Sequence, residues 1–502
     1  MTDLAWPPGP EVLALALGAF AGLSLLVPIL ASAWPAQAHR LGLAGILVSG
    51  IGALALALAF AAHHAATGAD SVRLALGHWD TPLGIALHLD GLTLVMLLLN
   101  AVVALAGSLY ALGYIPEAAV RRQFWPLWLW LWGGLNLLLV SGDAFNLYIT
   151  LEIVSLSAVA LVAFAGSADA VTGAMRYLLV NLLGSLSFLL GVALLYGQYG
   201  VLDLHTLAAA ASLAPATHLA AALMLGGLLM KAAVFPLHVW LATAHSAAPA
   251  PVSGMLSGLV VAAMFYLVLR LWLWLFAPLA NGAFVALIGL LGVAALLWGS
   301  LQALRAPRLK IVAAYSTVAQ MGYIALVIPL LVLVPRAWPV AVFFALAHGL
   351  AKAAILMAAG TIQKAAGHDR MNQLGRTLRA RGRTVFAIGL AGVSLMGLPL
   401  TGGFIAKYLV IEAGLRAATG TGPLMTLWVS LWVGGIVLGG LFATAYVLRM
   451  VAPAFQQGAR DPGAPVAAWM EWAPLALAVA AVLLGLLGNP TLALLAMTEG
   501  AP

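Results

Sequence analysis

The 502-residue chain contains no cysteine. That excludes disulfides, thiolate metal sites and iron–sulfur ligation, so the polypeptide offers electrons no cluster of its own. Charge is nearly as scarce, with Asp, Glu, Lys and Arg at 7% of residues against 64% hydrophobic ones. A soluble domain carries roughly 25% charged residues, so this composition describes a polytopic membrane protein with almost no room for an extramembrane domain. Nucleotide and hydrolytic signatures are absent too: no Walker sequence, no GxGxxG after a strand, no HExxH and no acidic cluster suited to magnesium. No cofactor, metal or catalytic chemistry is therefore expected of this chain itself. The first ten residues carry no positive n-region and the first apolar run is full length, so no cleavable signal peptide is expected.

What the sequence does contain is a succession of apolar runs about twenty residues long, the length of a membrane-spanning helix. They lie near 11–33, 41–63, 91–113, 124–141, 144–166, 172–197, 217–241, 251–276, 281–303, 309–334, 339–363, 384–414, 423–452 and 467–490. The expected fold class is thus an all-α integral membrane protein of about fourteen spans. Between the second and third, residues 70–90 alternate in polarity around a turn containing Pro and Gly, which predicts a short hairpin outside the membrane. The sixteen tryptophans, dense in WPLWLWLWGG and LWLWLF, are expected in interfacial belts. Asp143 and Asp169 sit at helix starts as caps.

The net charge of +7 is explained by topology. With the N-terminus outside, fifteen of the 22 Lys and Arg residues fall in inner loops, four fall outside and three lie within spans. The positive-inside rule then places both termini on the outer side, and no nucleic-acid partner is needed. The inner loop 364–383 holds six basic residues and suits anionic lipid headgroups or a soluble partner.

Inside the spans few ionisable residues remain, and each is costly at bilayer depth. Lys231 is central in the seventh run, with Pro236 interrupting that run five residues later and His238 and His245 following near the inner edge. Those histidines are candidates for proton uptake. Glu152 sits in FNLYITLEIVSLSAVAL, about 12 Å deep at 1.5 Å per residue. His348 and Lys352 are four apart on one face of the eleventh run, and Lys407 follows the Pro399 interruption in GLPLTGGFIAK. A line of such groups suits a proton relay. Burial disfavours a charged lysine, and a carboxylate about 4 Å away restores it by about 4 kcal/mol at an effective dielectric near 20. Pairing Glu152 with Lys231 would make a switch. The alternatives are structural: Glu152 neutral and hydrogen-bonded, Lys231 capping a broken helix, Lys407 bonding carbonyls freed by Pro399, and His348 bonding between helices.

The segments SGDAFNLYITLEI, MKAAVFPLHVWL, APAPVSGMLSG, LKIVAAYSTVAQMGYI, HGLAKAAILMAAG and GLPLTGGFIAK, in this order, resemble the antiporter-like proton-translocating subunits. These include large membrane-arm subunits of NADH:quinone oxidoreductase and membrane-bound hydrogenases, and the A- and D-type subunits of Mrp antiporters. GHWDTPLGIALHLD and GDAFNLY look most like the D-type branch. The resemblance implies two inverted five-helix repeats, helices 4–8 and 9–13, with helices seven and twelve broken at Pro236 and Pro399. It divides the chain into N-terminal helices with an outer hairpin (1–90), a first half (91–276), a second half (277–452) and a C-terminal helix (453–502). It places the family's helix-five glutamate on Glu152, its helix-seven lysine on Lys231, its helix-eleven polar positions on His348 and Lys352, and its helix-twelve lysine on Lys407. It further implies a bacterial-type inner membrane, partner membrane subunits that supply the redox reaction or cation gradient, and protons as cargo, with sodium an open second ion. The sequence departs from the family at Ala262, where a helix-eight relay lysine is usual, and at Arg308, where an acid usually precedes Leu309-Lys310. The Pro-Asp that often follows the helix-seven tryptophan is Ala242-Thr243. The loss at position 262 motivates a second reading, a non-conducting structural subunit that docks a partner.

Overall fold

The structure is a computed structural model that describes residues 7–79, 84–419 and 422–500. Helices α1 (Pro10–Ala33) and α2 (Ala38–Thr67) pack together and lead into a hairpin. Its strands β1 (Val72–Ala75) and β2 (Ala86–Leu89) pair antiparallel, Val72 opposite Leu89 and Ala75 opposite Ala86. Residues 80–83 of the expected turn lie outside the described residues. Then come α3 (Gly91–Tyr114), α4 (Ala118–Val140), α5 (Ala144–Ala163), α6 (Ala168–Tyr199), the short α7 (Leu204–Ala210), α8 (Pro215–Lys231) and the short α9 (Leu241–Ala247). Helices α10 (Ala250–Met255) and α11 (Val261–Leu271) form one rod, joined by a π turn at Leu256–Val260 and prolonged by another at Trp272–Phe276. The second part holds α12 (Gly282–Arg305), α13 (Leu309–Leu333), α14 (Trp338–Ala366), α15 (Gly375–Ala380), α16 (Gly382–Met396), α17 (Gly402–Thr419), α18 (Pro423–Val451), α19 (Trp469–Leu486) and α20 (Gly488–Leu495).

Among the described residues, 11 helices are long and apolar enough to cross a membrane, which makes this an all-α integral membrane protein but for the one hairpin. Tryptophan dilutes the hydropathy of α4, and α8, α16 and α17 are the pieces of two interrupted runs. Burial sorts the spans. The most apolar windows of Ala250–Leu279, α13 and the helix containing α14 are 89%, 89% and 94% buried, whereas those of α1, α2, α6 and α18 are 39% buried. The first three form the centre of the protein, away from lipid, and His348 and Lys352 project from α14 within it.

Two expectations need correcting. Trp125, Trp128 and Trp132 are fully buried instead of interfacial, because α1, α3 and α5 enclose α4, and Trp128 donates to Ser108 Oγ at 2.9 Å. Asp143 does cap α5, accepting from Asn146 N at 2.6 Å, but α6 is capped by Ser167, so Asp169 sits in its first turn. Helices α12 and α13 cross closely at small residues: a Cβ on Gly322 would lie 2.6 Å from both Gly292 O and Leu296 N. Gly322→Leu is therefore expected to destabilise by at least about 1–3 kcal/mol, read as loss of monodisperse protein after detergent extraction.

Candidate functional site

Lys231 is the last residue of α8, so the helix ends five residues before Pro236 instead of at it. The chain then leaves helical geometry through Ala233 at φ 54°, and Trp240 folds back to donate from Nε1 to Met230 O at 3.1 Å. The indole adds a second donor to a carbonyl that already accepts from Ala233 N at 3.2 Å. Lys231 is 2% exposed and its ammonium donates to Ser155 Oγ at 2.7 Å. Glu152 Oε1 stands 3.9 Å from Lys231 Nζ and accepts no hydrogen bond. Glu152 and Ser155 are three apart on α5 and thus share a face. The lysine stem passes where α6 has no side chain: a Cβ on Gly184 would lie 3.3 Å from Lys231 Cγ and 2.8 Å from Gly227 O.

The second group of polar side chains lies between α13 and α14. Lys352 is fully buried and donates to Ser316 Oγ at 2.6 Å and to Ala313 O. His348, one turn earlier, has Nε2 3.0 Å from Ser257 O, while its buried Nδ1 has no partner. Ser257 lies in the π turn, and its hydroxyl meets Thr317 Oγ1 at 2.7 Å. A π turn shifts the hydrogen-bond ladder by one residue, as is frequent at functional sites.

Lys407, on α17, reaches back across the second break to donate to Leu395 O at 2.7 Å and Met396 O at 3.0 Å. Its ammonium also lies 4.7 Å from the centre of the Tyr323 ring. The turn between α16 and α17 uses positive φ at Gly397 (82°) and Leu400 (71°), and a Cβ on Gly397 would meet Lys407 Cδ at 2.7 Å. The lysine thus sits on the negative end of the α16 dipole. Helix α13 runs between the two lysines with Ser316 and Thr317, then Gln320, then Tyr323 at helical spacing. Sequence reasoning missed Ser155 and this stripe; the spacing in YSTVAQMGY was its only visible signal.

The remaining candidates are less alike. His238 is half-buried and stacks on Phe235, ring centres 5.4 Å apart. His245 is fully buried, and neither ring nitrogen has a hydrogen-bond partner. Ala262 borders an apolar cavity of about 20 Å³ lined by Leu92, Met96, Phe265 and Tyr266 among others. Its largely apolar lining offers a proton no titratable carrier at position 262. The structure therefore brings Glu152 to Lys231 and sets His348 and Lys352 one turn apart, but no hydrogen bond or ion pair among the described residues joins Lys231 to Lys352. Two basic residues assigned to loops by counting are buried instead: Lys310 donates to Ala248 O at 2.7 Å, and Arg270 is ion-paired with Asp90.

Buried lysines beside two helix breaks, one facing a glutamate and one facing carbonyls, are placed as charged groups are at the broken helices of membrane transporters. The family described as "NADH:quinone oxidoreductase/Mrp antiporter, TM" matches residues 141–432, and the chain belongs to it. The N subunit of the NADH-quinone oxidoreductase of Desulforudis audaxviator is 33% identical over 424 residues, 82% of each chain. The D subunit of the Na(+)/H(+) antiporter of Alkalihalophilus pseudofirmus is 26% identical over 343 residues, 68% of this chain and 69% of that one. A chain in the solved Mrp complex from Dietzia sp. superposes with a TM-score of 0.83 at 25% identity, covering 98% of this chain and 97% of its own. The chain is an antiporter-like membrane subunit.

Proposed function

We propose that this subunit translocates protons within a multisubunit membrane complex, through Glu152, Lys231, His348, Lys352 and Lys407. The observation that carries this reading is the Lys231 centre: a buried ammonium 2.7 Å from a serine hydroxyl and 3.9 Å from a carboxylate with a free oxygen. At that distance the attraction is about 4 kcal/mol at an effective dielectric near 20, enough to decide whether the lysine holds its proton. The serine bond is direct while the glutamate contact is long, so Glu152 can swing away without leaving the lysine unbound. Loss of the carboxylate then releases the proton towards the centre, where Lys352 and the α13 stripe lead to Lys407.

The same reading assigns fourteen spans, with α8–α9, α10–α11 and α16–α17 each counted once, and two inverted five-helix repeats. Its support is that both interrupted helices carry a lysine at the break. The boundaries 1–90, 91–276, 277–452 and 453–502 follow, with both termini on the outer side of a bacterial-type inner membrane. Other membrane subunits are the partners, and Glu152, with 22% of its side chain exposed at the flank of the chain, suits coverage by one of them. At the inner loop, Arg379 and Arg381 are engaged by the carbonyls of Ala459, Pro462 and Ala464, and Arg381 and Arg383 by Glu471. The exposed Arg370 and Arg376 are left for lipid headgroups or a soluble partner.

The apolar lining around Ala262, where the family usually has a lysine, favours a second reading, a structural subunit that conducts no protons. Proton uptake into liposomes containing the complex, purified through a tag on this chain and driven by a potassium–valinomycin diffusion potential, separates the two. Lys352→Ala and Lys407→Ala are each expected to lower uptake about a hundredfold, the scale of losing a positioned proton carrier. Uptake unchanged in both variants would leave the structural reading standing.

A further inference from the structure

The buried lysines at the two helix breaks are held in different ways. Lys231 has a carboxylate 3.9 Å from its ammonium, whereas no ion pair among the described residues reaches Lys407. Lys407 is only 7% exposed, and its hydrogen bonds go to two neutral carbonyls, Leu395 O and Met396 O. An ammonium has three donors, so two carbonyls leave one side of it open. A buried charge with no counter-charge is costly, and what covers that side bears on whether the charge can stay. The Tyr323 ring lies there, its centre 4.7 Å from Lys407 Nζ. A cation over an aromatic face is drawn to the ring quadrupole, an attraction that a neutral amine does not share and that grows away from water.

Three helices set this ring in place. Tyr323 stands on α13 and is 1% exposed, and its hydroxyl donates to Ile436 O of α18 at 3.2 Å. Phe344 of α14 stacks on it, with ring centres 5.2 Å apart. On α18, Gly439 leaves the space the hydroxyl occupies, since a Cβ there would lie 2.6 Å from Tyr323 Oη. The next residue, Gly440, borders the ammonium, its Cβ position 3.9 Å from Lys407 Nζ. Among the described residues no hydrogen bond joins the tyrosine hydroxyl to Lys407, so the ring and not the oxygen meets the charge. An aromatic ring held by α13, α14 and α18 thus waits for a lysine that arrives from α17.

We propose that Tyr323 is a positioning residue for Lys407: its ring takes the place of a counter-ion and steadies the ammonium at the second break. The assignment rests on the proton-translocating reading of this subunit. It makes the two breaks different in kind. The charge on Lys231 answers to a carboxylate that can move, while the charge on Lys407 answers to carbonyls and a ring fixed by packing. Lys407 then accepts a proton as it arrives, with no mobile partner of its own.

The test uses the same complex in liposomes, with uptake under a diffusion potential followed by an internal pH dye. Phenylalanine and its mono-, di- and trifluoro forms are placed at position 323 by codon suppression. Fluorine draws electron density from the ring face with little change of shape, so packing is kept while the attraction fades. Tyr323→Phe is expected to lower uptake about twofold and each added fluorine about twofold more, a graded loss that a merely structural role would not produce. Tyr323→Leu is expected to lower uptake roughly thirtyfold, the size of a desolvated cation–π contact. Uptake that does not fall with fluorine number, with Lys407→Ala inactive, would overturn the assignment alone. So would a Tyr323→Phe variant as impaired as Tyr323→Leu, which would make the hydroxyl the working group. Uptake insensitive to Lys407→Ala would overturn the translocating reading and the assignment with it. If Tyr323→Phe fails to assemble, a difluorotyrosine at this position keeps the hydroxyl and decides: a fall of about fourfold supports the ring, and uptake equal to the parent overturns it.

Discussion

Arg270→Met is expected to cost about 3–5 kcal/mol, the usual penalty for leaving one member of a buried ion pair alone. Arg270 and Asp90 are 2% and 0% exposed and bidentate, Nη1 to Oδ2 at 2.5 Å and Nη2 to Oδ1 at 2.8 Å. The guanidinium also donates to Thr93 Oγ1 at 3.0 Å and to Tyr266 OH at 3.3 Å, and lies 4.8 Å over the Trp274 ring. Asp90 in turn caps α3 through Thr93 N at 2.9 Å, so the pair fastens the start of α3 to the end of α11. Burial alone would raise the Asp90 carboxyl, but the Arg270 charge outweighs it and holds that carboxyl well below the usual range. A depressed folded value gives stability that is complete above the unfolded carboxylate range and lost only as pH falls through the folded one. The single variant should therefore unfold at markedly lower temperature at neutral pH. Asp90→Asn with Arg270→Met should recover much of the loss, because no uncompensated charge remains buried. Thermal unfolding of the detergent-extracted complex reads both; equal losses in the single and double variants would show that the pair's charge is not what holds the helices.

This pair also shows where sequence reading stops. Ionisable residues in the middle of apolar runs are legible, because a charge in hydrocarbon is expensive and stands out; Glu152, Lys231, Lys352 and Lys407 are visible on that ground. Arg270 and Lys310 sit near the ends of runs, where loop counting absorbs them, and only packing reveals their burial. The helix breaks are legible through Pro236 and Pro399, but α8 ends at Lys231 through a backbone turn with Ala233 at φ 54°, which an alanine does not announce. Ser155 carries no signal, since a serine in a membrane helix is ordinarily bonded to its own backbone. The buried tryptophans of α4 mislead for a related reason: the aromatic preference for interfaces is real, but α4 lies inside the bundle, where Trp128 has Ser108 for its N–H.

The largest functional effect is expected at the Glu152–Lys231 pair. In the complex driven by its own partners, Glu152→Gln should reduce coupled proton transfer to background while leaving assembly intact. Glutamine keeps the volume and the partly exposed position of Glu152, so the fold has little to lose. What disappears is about 4 kcal/mol of attraction on the ammonium, which is nearly three decades in an equilibrium constant. Ser155→Ala separates the switch from simple holding. Its hydroxyl is the direct partner of Lys231 at 2.7 Å, yet it carries no charge that can change as the glutamate moves. Ser155→Ala should lower coupled transfer about tenfold, the scale of one hydrogen bond, and leave its dependence on the driving gradient unchanged. If Ser155→Ala proved as severe as Glu152→Gln, the serine would be the element that positions the proton, and Glu152 would be only a counter-charge.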